Sequence, residues 1–172
     1  MRTSDFYYDL PKELIAQKPL SDRSASRLLI LDGNSGEIRH SRFSELSSLL
    51  HPGDLLVLNN TRVIPARLLG ARADTGTAVE LLLLNRKDEK HWETLARPGK
   101  KVRTGKHLVF AENLLEAHVE DVLDNGNRII RFEYEGIWEE VIDRVGMIPL
   151  PPYIHEQLED KERYQTVYAA MP

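Results

Sequence analysis

The sequence predicts a mainly β protein built around a small barrel or sandwich of roughly six antiparallel strands. Three observations carry that reading. From Gly53 to about Tyr134, short apolar runs follow one another at antiparallel-strand spacing. Turn-forming clusters separate them, chief among them Asn125-Gly126, a two-residue hairpin signal. The clearest amphipathic helical pattern, Ile137, Trp138, Val141, Ile142 and Val145, begins only after the last strand.

Taken in order, residues 1 to 27 are irregular, with a short helical stretch near Pro11 to Gln17 that Pro19 stops. Leu28 to Leu31 reads as a strand closed by the turn Asp32-Gly33-Asn34-Ser35-Gly36, with Glu37 to Arg39 as its return. Phe43, Leu46, Leu49 and Leu50 share a helical face ended by Pro52-Gly53. The strands then run Leu55 to Leu58, Arg67 to Arg72, Val79 to Leu84, His91 to Ala96, His107 to Phe110, Leu115 to Leu123 and Arg128 to Tyr134. Gly146 ends the later helix, Pro149, Pro151 and Pro152 force an extended segment, and Glu156 to about Tyr168 reads as a final helix.

Composition bounds the function. With 172 residues, 41% hydrophobic and 29% charged, the chain can bury a core and stay soluble. A net charge of -4 argues against bulk, nonspecific nucleic-acid binding while leaving room for a local basic patch. The absence of cysteine excludes disulfides, thiolate nucleophiles and cysteine zinc sites. The first residues lack an apolar signal core and no run approaches membrane-spanning length, so a cytoplasmic protein is expected. There is no Gly-x-Ser-x-Gly elbow and no Gly-x-x-x-x-Gly-Lys-Ser/Thr loop. The six histidines are dispersed without metal-motif spacing, and no metal is expected.

Four groups of residues carry candidate chemistry. Asn59 and Asn60 follow an apolar run and precede Arg62 and Arg67, a set suited to fixing a base edge or ribose and an anion. By residue type alone, turn-shaping asparagines and structural arginines explain it more simply. Arg23, Ser26 and Arg27 form a second polar cluster before a strand, again more simply structural. Lys100, Lys101 and Arg103 crowd a loop punctuated by Pro98, Gly99 and Gly105; they suit nucleic-acid phosphates or a solvated basic loop. Trp92 close by reads as core rather than a stacking platform. The stiff run Pro149-Leu150-Pro151-Pro152-Tyr153-Ile154 serves equally as pocket wall and crossover, with Tyr153 placed to meet a flat ligand.

Several segments, in order and along nearly the whole chain, together resemble the queuosine-pathway S-adenosylmethionine:tRNA ribosyltransferase-isomerase family. They are Leu10-Pro11 through Leu14-Ile15-Ala16-Gln17 with Pro19-Leu20, Arg23 and Ser26-Arg27-Leu28; Gly53-Asp54 to Arg67; Val79 to Leu83; and Trp92 to Ala96 with Pro98. Met147 and Pro149 to Ile154 follow, then Asp160 and Glu162 through Tyr168. No single piece is specific; their joint occurrence is.

The resemblance implies a six-stranded antiparallel β-barrel, residues 61 to 148, inserted into an incomplete α/β domain whose parts are residues 1 to 60 and a return segment, 149 to 172. It implies transfer and isomerisation of the ribosyl moiety of S-adenosylmethionine onto 7-aminomethyl-7-deazaguanine in tRNA, giving epoxyqueuosine, adenine and methionine. S-adenosylmethionine is then a ribosyl-donating co-substrate and the modified tRNA a partner. Asn59, Asn60, Arg62 and Arg67 become the leading substrate-binding candidates, with Arg23 and Arg27 weaker ones. Tyr153, Arg163 and Tyr164 are expected to line the interface with the family's later half, Lys100, Lys101 and Arg103 to contact tRNA phosphates, and the proton-transferring residue is unassigned. The family continues beyond the Gln165-Thr166-Val167-Tyr168 segment into a Gly-, Ser- and Ala-rich stretch and a Gly-Leu-His-Phe motif, which Ala169-Ala170-Met171-Pro172 does not reproduce. A truncated chain, inactive alone and self-associating through uncovered apolar surface, is the expectation. The alternatives are a non-catalytic tRNA-binding β-barrel module and a structural fragment.

Overall fold

The computed structural model describes residues 1–156 and 158–169, which fall into two compact units. One comprises Met1–Asn60 with Pro151–Arg163, the other Thr61–Leu150 with Tyr164–Pro172.

The first unit is sparse in regular structure. Strands β1 (Arg27–Leu31) and β2 (Ile38–Arg42) pair antiparallel as the sequence predicts. Their turn is organised by Asp32, whose Oδ1 accepts from the Asn34 and Ser35 amides and the Ser35 hydroxyl. These donors hold the Asp32 carboxyl below its ordinary range, the Ser35 amide contributing most. The expected helix after β2 is instead a 3₁₀ segment, Phe43–Leu49. Local side-chain bonds compete with the helical ladder there: Ser48 Oγ donates to the Glu45 carbonyl at 2.7 Å, and Ser41, on β2, donates its Oγ to Glu45 Oε2 at 2.8 Å.

Two further expectations are corrected. Leu55 to Leu58 is not a strand: among the described residues nothing pairs with it, and Leu55 and Val57 are 88% and 82% exposed. Apolar sequence alone does not make a strand without a ladder partner. The final helix shrinks to a 3₁₀ turn, Lys161–Tyr164. Asp160 Oδ1 accepts the Glu162 amide at 2.9 Å, and the β-branched Thr166 and Val167 disfavour continuation. Gln157, within that expected helix, lies outside the described residues.

The second unit is a closed barrel. Its strands are β3 (Arg67–Arg72), β4 (Ala78–Arg86), β5 (His91–Arg97), β6 (His107–Phe110), β7 (Leu115–Val122) and β8 (Arg128–Glu133). They run β4-β5-β8-β7-β6-β3 with every pair antiparallel, and β3 pairs with β4 to close the ring. Alternation explains the packing: Leu115, Ala117 and Val119 point inward while Glu116 and His118 stand outside. Leu68, Leu81, Leu108, Phe110, Ile130 and Phe132 fill the interior at 1% exposure or less. Burying each such side chain is worth about 1.5–3 kcal/mol. Closure removes the unpaired edges that an open six-stranded sheet would expose.

The hairpin forms, but not as a two-residue Asn125-Gly126 turn. The Gly126 amide donates to the Leu123 carbonyl at 2.8 Å and the Leu123 amide to the Asn127 carbonyl at 2.9 Å. Asp124 and Asn125 are therefore the central residues, and Gly126, at φ +85°, closes a three-residue loop. Helix α1 (Trp138–Val145) lays Trp138, Val141 and Ile142 onto the barrel. Trp138 meets Phe132, Tyr134 and Trp92 at ring-centroid distances of 5.0, 5.1 and 5.5 Å. Trp92, 7% exposed, is therefore core, as its strand position suggests. After α1, β9 (Gly146–Met147) pairs with Arg67 and Leu68 at the start of β3. A side chain at Gly146 would place its Cβ 2.0 Å from the Pro65 carbonyl oxygen, so only glycine permits this approach.

Candidate functional site

In the first unit, the segments around Gln17–Ser21 and Glu156–Arg163 border an open pocket of about 390 Å³. Side chains knit its walls together through backbone groups. Gln17 Nε2 donates to the Tyr153 carbonyl at 3.0 Å and its Oε1 accepts the His155 amide at 2.8 Å. Arg23 Nη2 donates to the carbonyls of Glu162 and Arg163 at 2.9 and 3.1 Å. Arg163 Nη2 in turn donates to the Leu20 carbonyl. Arg23 and Arg163, two candidates far apart in sequence, thus clamp the same pair of segments. Lys18 lies 3.5 Å from Glu159 at the rim, and Asp160 adds a second carboxylate, so the pocket offers both charges and suits a zwitterionic or polar ligand. The ring of Tyr153 is exposed on this unit.

A second cleft, about 510 Å³, is lined by Arg27, His40, Ser41, Arg42 and Glu45. Register places Arg27 directly opposite Arg42 across the hairpin. Like charges in that position repel, and a bound anion would relieve them.

Asn59 and Asn60 are exposed and outside regular structure, in the first unit. Arg62, Arg67 and Tyr164, all half-buried, belong to the second. Arg67 is engaged with Glu80 on the neighbouring strand: Nη2 donates to Oε2 at 3.1 Å, while Nε lies 3.1 Å from Oε1 without hydrogen-bond alignment. That pairing is the structural use foreseen as the simpler reading, and it competes with an external anion.

Sequence reasoning passed over Gln165. It is 5% exposed, its Oε1 accepts the Val63 amide at 2.8 Å and its Nε2 donates to the Val63 carbonyl at 2.8 Å. The amide thereby completes a backbone ladder within the Arg62–Arg67 approach to β3. Periodicity carries no signal for it, since the contact spans 102 residues.

The basic loop between β5 and β6 is built from beneath. Arg128, 9% exposed, donates from Nε to the Val102 carbonyl at 3.0 Å, from Nη2 to the Gly99 carbonyl at 2.7 Å, and from Nη1 to the Gly126 carbonyl. Val102 is fully buried, a plug that anchors the loop's middle. With the backbone so held, Lys100, Lys101 and Arg103 all stand exposed on one short segment. Trp92 offers no stacking platform there, since it is inside.

Three carboxylates of the barrel, the buried Glu93 and the exposed Asp74 and Asp88, are strongly stabilised in the charged form. Hydrogen bonds from Lys87 first and Asn127 second hold Glu93 down at about 2. Arg72, then Lys106, does the same for Asp74, also about 2. Asp88 falls to about 2 chiefly through the Lys90 amide and His91. Each is paired by neighbours, so none of the three is a poised general base.

Comparison with known proteins fits this geometry into a family. Residues 3–172 match the family model described as queuosine biosynthesis protein. The chain is 59% identical over 169 residues to the S-adenosylmethionine:tRNA ribosyltransferase-isomerase of Symbiobacterium thermophilum, and 53% identical over 169 residues to that of Acetivibrio thermocellus. Each alignment covers 98% of this chain and 50% of the relative, so the chain spans about half the length of the curated relatives it matches. A crystal structure of S-adenosylmethionine tRNA ribosyltransferase from Thermotoga maritima is 41% identical, with a TM-score of 0.40, covering 83% of this chain and 48% of that one. With the family model matching essentially from end to end and identities above one half along the same span, the chain belongs to the queuosine biosynthesis protein family.

Proposed function

We propose that this chain forms part of an S-adenosylmethionine:tRNA ribosyltransferase-isomerase. Such an enzyme transfers and isomerises the ribosyl moiety of S-adenosylmethionine onto 7-aminomethyl-7-deazaguanine in a cytoplasmic tRNA, releasing adenine and methionine. The supporting observation is the 59% identity along 98% of the chain to a relative of that name.

In this reading the chain's work is binding and orientation. Fixing a modified base and a ribosyl donor in one frame supplies much of the rate gain. Asn59 and Asn60 are assigned to substrate amide and hydroxyl contacts, Arg62 and Arg67 to anionic groups, with Arg67 held in place by Glu80. Arg23 and Arg163 shape their pocket rather than reacting, with Tyr153 and Tyr164 as flanking groups. Arg27, facing Arg42, is assigned an anionic portion of a substrate. Lys100, Lys101 and Arg103 take tRNA phosphates. Residues 1–60 and 149–172 form parts of an α/β domain that the barrel, 61–148, interrupts. The exposed Leu55–Leu58 run pairs with a strand from the additional length that the relatives possess.

The test is a chimera in which this chain replaces the aligned half of the Symbiobacterium thermophilum relative. Adenine release on incubation with S-adenosylmethionine and precursor tRNA is expected, and a folded chimera that binds both substrates but releases no adenine overturns the reading. The exposed basic loop favours one second reading, a tRNA-binding barrel without catalysis, which predicts tRNA binding by the chimera with no adenine release.

A further inference from the structure

On the outer face of the barrel, strand pairing assembles a set of ligating groups that linear spacing hides. His107 on β6 lies directly opposite His118 on β7, and Glu116 stands two residues before His118 on the same face. The two imidazoles stack, with centroids 4.6 Å apart and planes 9° from parallel. His107 Nε2 and Glu116 Oε2 are 2.8 Å apart. One ligand atom from each of the three residues falls within 4.8 Å of the others, and all three side chains are half-buried. Beyond them, Glu133 Oε1 lies 3.5 Å from His118 Nε2 and is held by Arg131.

We propose that His107, Glu116 and His118 form a binding site for a divalent transition-metal ion of zinc type, clipping β6 to β7. Two imidazoles and one carboxylate match the ligand preference of such ions, which favour borderline nitrogen donors and accept a carboxylate oxygen. Four-coordinate geometry with metal–ligand distances of about 2.0–2.2 Å brings ligand atoms to about 3.3 Å from one another. The groups must therefore close slightly. Rotation of the imidazoles about their soft terminal torsion achieves this, at the cost of the stack. The ion enters between His107 Nε2 and Glu116, and the neutral ring presents its lone pair there by carrying its single proton on Nδ1 instead. Glu133, beside the ring of His118, is the outer carboxylate that orients a ligating histidine. The fourth position opens to water because the site is on the barrel's exterior. Charge supports the occupant: Glu116 and Glu133 bring two carboxylates to this face, and Arg131 divides its charge between Glu133 and Glu120.

The expectation of no metal rested on the dispersal of the histidines along the sequence. In a hairpin, however, ligands separated by the whole turn become cross-strand neighbours, as His107 and His118 do here.

The experiment titrates the purified 172-residue chain with zinc chloride by calorimetry, then with cobalt(II) while reading its visible absorption. One equivalent is expected to bind, with the cobalt band of a nitrogen- and oxygen-ligated ion. His118→Gln and Glu116→Gln should each weaken zinc binding at least about tenfold, whereas His51→Gln and His155→Gln should not. Imidazole nitrogen NMR spectra of the unmutated chain give a readout independent of any variant's folding: the ring signals of His107 and His118 should shift with the first equivalent. Absence of submillimolar binding, unchanged affinity in His118→Gln and Glu116→Gln, or shifts confined to other histidines would overturn the proposal.

Discussion

Gln165 satisfies both polar groups of the Val63 peptide, accepting its amide hydrogen and donating to its carbonyl, each at 2.8 Å. A side chain from the end of the described chain thus stands in for a neighbouring strand just before β3. Gln165→Leu keeps the volume and removes both bonds, leaving a partly buried amide and carbonyl without partners. It should lower unfolding free energy by about 1–3 kcal/mol in urea titration. A change within about 0.3 kcal/mol would show that water replaces the pairing without cost.

Arg128 should matter more for the loop than for the strand that carries it. Its guanidinium reaches three carbonyls on two loops, and Arg128→Met leaves those acceptors under a buried apolar chain. A loss of about 2–4 kcal/mol is expected, since charged donors contribute more per bond. Hydrogen exchange should report raised opening rates at Lys100–Lys106, with the β7–β8 ladder less affected.

Charge reversal of Lys100, Lys101 and Arg103 should leave the melting temperature unchanged, because the three side chains are exposed. Affinity for tRNA should fall, and the slope of log affinity against log salt should flatten by about 0.7–0.9 for each phosphate left unneutralised. Filter binding at several salt concentrations measures both. Unaltered affinity and slope would remove this loop from the tRNA surface.

Acid sensitivity should trace to the carboxylates held near 2. Glu93 titrates at about 2 when folded against an ordinary 4.5. Its charged-state stabilisation is therefore present above about pH 4.5 and is lost as pH falls through the folded value. Asp74 and Asp88 add the same sign over a window from 3.8 down to about 2. Glu93→Gln should flatten the decline of the urea midpoint between pH 4.5 and about pH 2. A parallel curve, merely displaced, would place the acid response elsewhere.

Leu55→Lys with Val57→Lys should reduce self-association of the isolated chain, because these side chains are among its most exposed apolar groups. Sedimentation velocity across a concentration series is the measurement. Identical oligomer distributions would clear this run as the point of association.

The barrel was legible because its information is local. Alternation fixes which face of β7 or β8 is buried, and Asn125-Gly126 marks the hairpin, although the loop takes in Asp124 as well and sets Val122 opposite Arg128. Leu55 to Leu58 misled because a strand needs a partner, and four apolar residues cannot name one. Ser48, which bonds back to the Glu45 carbonyl, contained the warning that a helical face overlooked. At the candidate sites, residue type picked out Arg23 and the family resemblance added Arg163, but only folding shows that both reach backbone carbonyls. Gln165 and the His107–His118 pair depended on partners across long or looped separations, which periodicity cannot encode.

The pairing of β9 with the start of β3 brings the barrel's entrance and exit side by side, locked by the close approach of Gly146 to Pro65. A fold whose two ends meet can be acquired or shed as a cassette, because splicing it out leaves a gap that a few residues bridge. Its closed ring needs no strand from the host to complete it. The host can therefore drift in sequence while the cassette keeps its register, provided Gln165 still reaches the Val63 peptide from beyond the ring.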